Sequence, residues 1–198
     1  IWDPGMDLPT ASAEQQKYLT IVKDCDYQDS FDSGTLFRQM QLNFQGLTNE
    51  RLSLNDDLFD EETCVEGMRQ RKFMTGIANF QIYKAEICFL YGEYERALEH
   101  VREQDKLVNS SISLPQLVRF RIISFLTITA LYPDMNNAER SGILRRLKRD
   151  LRQMSRWASN CPENFAHLRD CMRGELARLS GHMETAISAY HSAIAGAR

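Results

Sequence analysis

The sequence predicts an all-α fold in which antiparallel helical hairpins stack as an irregular solenoid. Three observations predict it. Apolar residues recur at helical spacing along most of the 198 residues. No segment shows the period-two alternation of a half-buried strand. A small-residue hairpin signature also occurs twice, around Gly92 and Gly181.

The elements follow in chain order. Residues 1–11, with Pro4, Gly5, Pro9 and Thr10, read as an irregular lead-in. A helix is expected from Ser12, with Ser12 and Gln15 in capping-box spacing and Tyr18, Leu19, Ile21 and Val22 as its apolar face. The polar stretch Asp24 to Gly34 reads as a break. A second helix is expected from Thr35 to Gln45, on Leu36, Phe37, Met40, Leu42 and Phe44, with Gly46 ending it. Residues 47–60 read as a polar connection. Asp60, Glu61 and Glu62 suit the first turn of a short helix to Arg69.

A long helix, Lys72–Tyr91, carries Phe73, Ile77, Phe80, Tyr83, Ile87 and Leu90, and its partner runs Tyr94–Val108. Pro115 opens a helix to Tyr132 that is apolar nearly all round, so a deep position is expected. Pro133 ends it. A charged helix over 137–159 follows, then helices over 163–179 and 182–197. Residues 1–34 are therefore read as a lead-in and a helix whose packing the pattern does not fix. Residues 35–198 are read as the repeat-bearing domain.

Composition excludes several classes. The 24 basic and 27 acidic residues leave a net charge of −3, which gives no general affinity for nucleic acid or membrane. No run approaches the ~20 apolar residues that span a bilayer. The start at Ile1 carries no signal-peptide pattern and no initiator Met, and the helical pattern barely finishes before Arg198. Both ends are read as the limits of an excised segment. Five cysteines without regular spacing point to a reducing, cytoplasmic setting.

The repeat is the informative feature. Ala85 lies seven residues before Gly92 and Ala97 five after, with Tyr94 and Val101 as bulky positions. Gly174 lies seven before Gly181 and Ala186 five after, with Met183, Tyr190 and Ala193 in the remaining places. Small residues let two helices approach, and glycine supplies an unstrained turn. The bulky residues are expected to fill a groove shared with the next hairpin. This is tetratricopeptide logic, in which one hairpin cannot bury its own face and neighbours stack. The copies lie 89 residues apart (181 − 92), which is not a multiple of the 34-residue repeat. A helical bundle with two chance turns is the competing reading.

Several stretches together resemble one family. They are FRQMQLNFQG (37–46), LFDEE (58–62), FLYGEYERALEHV (89–101), FLTITALYP (125–133), RWASNCPENFAHL (156–168) and GELARLSGHMETAISAYHSAIAGA (174–197). In order and spacing they resemble the tetratricopeptide-like region of very large signalling proteins. Those proteins join a serine/threonine-kinase-like domain, a STAND-type ATPase module, a GAF domain and a sensor histidine kinase. The resemblance implies a regulatory place within a larger protein. It implies partners that are proteins or other domains of the same chain, and puts no catalytic residue here.

The sequence carries no recognisable reaction motif. No phosphate-binding loop, His-Glu-x-x-His, Gly-x-Ser-x-Gly or kinase His-Arg-Asp sequence occurs. No catalytic residue, cofactor or metal is expected. Cys161, His167 and Cys171 offer at most an incomplete ligand set, and a helix interface is the favoured reading. His100, His182 and His191 read as surface or hairpin-edge residues, and Cys88 as a buried small hydrophobe.

One charge feature stands out. Between Asn136 and Asn160, Arg140, Arg145, Arg146, Lys148, Arg149, Arg152 and Arg156 face only Glu139 and Asp150. Arg145, Arg149, Arg152 and Arg156 fall on one stripe. It reads either as a docking face for an anionic partner or, favoured, as a solvated face paired with acids such as Asp56, Asp57, Asp60, Glu61 and Glu62. Two other functions compete with the regulatory segment: an effector-sensing arm of a STAND-type transcription regulator, and a nucleic-acid binder using the stripe.

Overall fold

The computed structural model describes residues 6–111 and 115–197. Expectations for Ile1 to Gly5 and for Arg198 lie outside them. Among the described residues there are nine α-helices, two 3-10 turns and no strand. The helices are α1 (Leu8–Asp24), α2 (Gln28–Phe44), α3 (Glu61–Gln70), α4 (Met74–Leu90), α5 (Tyr94–Leu107), α6 (Pro115–Leu131), α7 (Asn137–Asn160), α8 (Pro162–Leu179) and α9 (Met183–Gly196). No helix among the described residues is long and apolar enough to cross a membrane.

Three helices, α1, α3 and α7, start on a side-chain cap. The Asp7 carboxylate accepts from the Thr10 amide at 2.9 Å, so α1 begins at Leu8 with Pro9 in its first turn. Ser12 is therefore not the cap. It lies inside the helix, and its hydroxyl donates to the Pro9 carbonyl at 3.1 Å. Asp60 caps α3 through the Thr63 amide at 2.8 Å, and Asn136 caps α7 through the Glu139 amide at 3.0 Å.

Four helices end in the same way. After α2, α3, α4 and α8 one residue takes a left-handed conformation, and the next amide reaches back five residues. These bonds are Leu47 N to Leu42 O (2.9 Å), Phe73 N to Met68 O (2.8 Å), Glu93 N to Cys88 O (2.8 Å) and His182 N to Ala177 O (2.9 Å). The left-handed residues are Gly46, Lys72, Gly92 and Gly181. Lys72 is the one that glycine reading misses.

Contacts divide the chain after Leu117, within α6. In the first unit α1 packs on α2, α2 on α3 and α4, and α4 on both α3 and α5. The expected break at Asp24–Gly34 shrinks to Cys25–Tyr27, because Gly34 sits inside α2. A side chain there would meet the Leu19 methyl group at 2.8 Å, so Gly34 marks where α1 crosses α2. The division drawn at residues 34 and 35 thus falls within a continuous helix. The inner face of α1 is Ala11, Ser12, Gln15 and Leu19, while Tyr18 and Ile21 are exposed. The apolar pattern of α1 alone does not select its face, because the crossing with Gly34 does.

The enclosed helix of this unit is α4, buried over Gly76–Asn79 and Gln81–Cys88. By contrast α6, expected to be deep, buries Phe120, Ile123, Phe125 and Ile128 but leaves Leu117, Val118, Ile122, Leu126 and Leu131 half-buried. The connection over 47–60 is well tied. Asn43 donates to the carbonyls of Arg51 and Ser53 (3.1 and 2.9 Å) and Gln39 to that of Leu54 (3.0 Å). Lys84 donates to Leu52 O at 2.5 Å and pairs with Glu61 at 2.9 Å.

In the second unit α7 packs on α8 and α8 on α9. Polar bonds attach α6: Arg146 donates to Ser124 Oγ at 3.0 Å, and Arg178 to the Thr129 carbonyl at 3.3 Å.

Candidate functional site

Two constructions stand out: the helix pairs turning at Gly92 and Gly181, and the outer face of α7.

The eight repeat residues fall in the two pairs. Ala85 and Ala97 are fully buried between α4 and α5. Gly174 and Ala186 are buried between α8 and α9. Gly92 and Gly181 have φ of 82° and 77° with open space around the Cβ position. Glycine is needed there for backbone conformation alone. Tyr94 stacks obliquely on Phe89, ring centroids 5.6 Å apart, and Val101 is fully buried.

Tyr190 lies across Gly174, where a Cβ would meet its ring at 2.6 Å. Its hydroxyl donates to Glu175, whose other oxygen accepts from Arg178 at 2.7 Å. Burial raises the Glu175 carboxyl, but these hydrogen bonds outweigh it and hold the group below its usual range. The same burial and the bond to Glu175 push the Tyr190 phenol up to about 12. Met183, expected in a shared groove, is exposed, as are Ile187 and Ile194.

The sequence pattern does not single out Glu175 and Arg178. A signal exists: Glu175 and Glu86 occupy equivalent places one residue after the small position in each copy (175 − 89 = 86), an acid inside an otherwise apolar stretch.

His100 is half-buried against α4. Its Nδ1 lies 2.7 Å from Gln81 Oε1, and its ring meets Phe80 edge-on at 6.4 Å. Burial, with Lys84 nearby, lowers its pKa to about 4. His182 and His191 are exposed. Cys88 is buried, and burial also raises the Cys64 thiol to about 12. Cys161 accepts from Asn164 Nδ2 at 3.1 Å. Among the described residues no cluster of three His, Cys, Asp or Glu side chains could hold a metal ion.

The arginines of α7 separate into two sets. At about 100° per residue, Arg145, Arg149, Arg152 and Arg156 fall within about 60° of arc. Leu147, Asp150, Met154 and Ala158, all buried, lie opposite. Arg146 reaches Ser124 of α6, and the α7 carboxylate of Asp150 stands 3.8 Å from Arg146 and 3.6 Å from Arg121 of α6. Arg140 donates to the Pro133 carbonyl at 2.6 Å and covers the Tyr132 ring at 5.4 Å.

The stripe itself faces outward. Arg149 is 69% exposed, though 3.7 Å from Asp150. Arg145, Arg152 and Arg156 are exposed, and among the described residues none has a carboxylate within 4.0 Å. Of the acids favoured as its partners, Glu61 pairs with Lys84, Asp56 accepts from Gln39 at 2.9 Å, and Asp60 caps α3.

Charge is unequal between the units. Residues 1–117 hold 11 basic and 20 acidic side chains, a net of −9. Residues 118–198 hold 13 basic and 7 acidic, a net of +6.

No family model matches the chain, and neither a curated protein nor a solved structure is detectably similar to it.

Proposed function

We propose that this chain is a non-catalytic interaction and regulatory segment of a large signal-transduction kinase. In this reading its helical hairpins stack as a tetratricopeptide-like solenoid. The segment binds a partner or another domain of the same protein, and couples that event to flanking ATPase and kinase domains. The supporting observation is the repeated construction: two helix pairs, 89 residues apart, combine the same left-handed glycine turn with small buried residues at matching positions. Such units leave binding faces rather than enclosed active sites. The family resemblance of the six sequence stretches supplies the kinase context, because fold alone does not name a function.

The test has two steps. The reading frame on both sides of the segment is determined first. A phosphate-binding loop upstream and a GAF or histidine-kinase domain downstream are expected, and a frame lacking both overturns the proposal. The parent kinase is then assayed with Gly174→Val in this segment. Altered regulation of autophosphorylation with unchanged ATP affinity is expected. Unchanged regulation removes the coupling role.

A further inference from the structure

We infer that the outer face of α7 is a docking site for an acidic α-helical segment of a protein partner. Arg145, Arg149, Arg152 and Arg156 follow one another by four, three and four residues over about 16 Å of helix. A partner helix bearing carboxylates at the same spacing presents its charges with the same period. All four cations are arginines, whose planar forks bind carboxylates in paired hydrogen bonds.

The inner contacts of α7 leave this face available. Asp150, the buried acid of the helix, is met by Arg121 and Arg146 and also, at 3.7 Å, by Arg149, whose side chain is still 69% exposed. The unit as a whole carries +6. One exposed ion pair contributes little, but four on one rigid face act together and steer encounter.

Other anionic surfaces fit less well. Insertion of an amphipathic helix into a membrane surface needs apolar residues beside the cations, whereas Leu147 and Met154 of α7 are fully buried on the opposite side. A long nucleic acid meets a chain of net charge −3 whose first 117 residues carry −9. The half-buried aromatic that follows Arg156 in the sequence, Trp157, is turned away from the stripe and engaged with Phe165 at 5.8 Å rather than offered for base stacking.

The experiment uses the full chain and a fluorescein-labelled peptide of about four helical turns. The peptide carries Glu at the four-three-four spacing on an alanine–glutamine background. A second peptide has the same composition in permuted order. Fluorescence anisotropy at about 50 mM salt is expected to show saturable binding that weakens at about 300 mM. Arg149→Glu with Arg152→Glu should weaken it at least tenfold. Lys23→Glu on the exposed side of α1 should leave it unchanged.

Circular dichroism checks that each variant folds. Should the double reversal fail to fold, Arg152→Gln with Arg156→Gln serves in its place, with a smaller loss expected. Absence of saturable binding at low salt overturns the inference. So does equal binding of the permuted peptide, or tighter binding of a DNA duplex of equal charge. Because peptide binding does not depend on flanking domains, this assay and the reading-frame test fail separately.

Discussion

The α4–α5 and α8–α9 pairs solve one problem with different chemistry. Each turns on a left-handed glycine and brings helices together at small residues. In the first pair the close approach is Ala85 with Ala97, and Val101 fills the seam. In the second, Gly174 makes room for the whole ring of Tyr190, the residue equivalent to Val101 (190 − 89 = 101). Small and bulky positions therefore exchange volume within the pair: a smaller helix partner admits a larger neighbour.

The polar groups differ too. Gln81 and Asp170 are equivalent and both buried. Gln81 meets a neutral His100 on the facing helix. Asp170 meets Arg169 at 2.8 Å and Arg173 at 3.5 Å on its own helix. An uncharged hydrogen bond, Gln81 to His100, links the helices of the first pair, and the Tyr190 hydroxyl bonded to the Glu175 carboxylate links those of the second.

The strongest break of the comparison is at Gly174. Gly174→Val drives two methyl groups into the Tyr190 ring and should cost about 3 kcal/mol. Gly174→Ala should cost less. Adding Tyr190→Val rebuilds the Ala–Val combination of the first pair and should recover part of that loss, measured by urea denaturation. Strict additivity of the two changes would show that the volumes are not exchanged.

The next effect concerns pH and only the first pair. The His100 pKa falls from its ordinary 6.5 to about 4 on folding, so the neutral form is the folded one. Its contribution is fully present above pH 6.5 and is lost as pH falls toward 4. The loss should reach a few kcal/mol at most, since each tenfold change in proton affinity is worth about 1.4 kcal/mol. His100→Gln should flatten that part of the stability–pH curve. A curve of unchanged slope in this window would locate the proton uptake elsewhere.

The smallest effect should be the same in both pairs. Gly92→Ala and Gly181→Ala each force an L-residue into the left-handed region, at about 1 kcal/mol. Nothing lies within 4 Å of either Cβ position, so the cost is conformational and no clash adds to it. Thermal melting that separates the two variants by several degrees would show that the turns are not equivalent.

Much of this is legible in the sequence. Helices α4 to α9 begin and end within about two residues of expectation, because glycine and proline punctuate their ends. The eight repeat residues lie in the two pairs, and the four stripe arginines share one outward face. Local rules mislead where a partner helix decides the outcome. Gly34 reads as a breaker but serves a crossing, and Lys72 closes a helix where glycine is the expected sign. Tyr18 and Ile21 read as core and are exposed.

The helical class, most helix ends and the position of the small residues follow from the order of residues, since these rest on backbone conformation and short-range periodicity. Packing between helices places Tyr190 in the space over Gly174. The packing also holds His100 neutral against Gln81, and gathers Arg121, Arg146 and Arg149 around Asp150 while Arg145, Arg152 and Arg156 are exposed without a carboxylate within 4.0 Å among the described residues. Those outcomes depend on which side chains meet across separate helices, and on the burial they then experience.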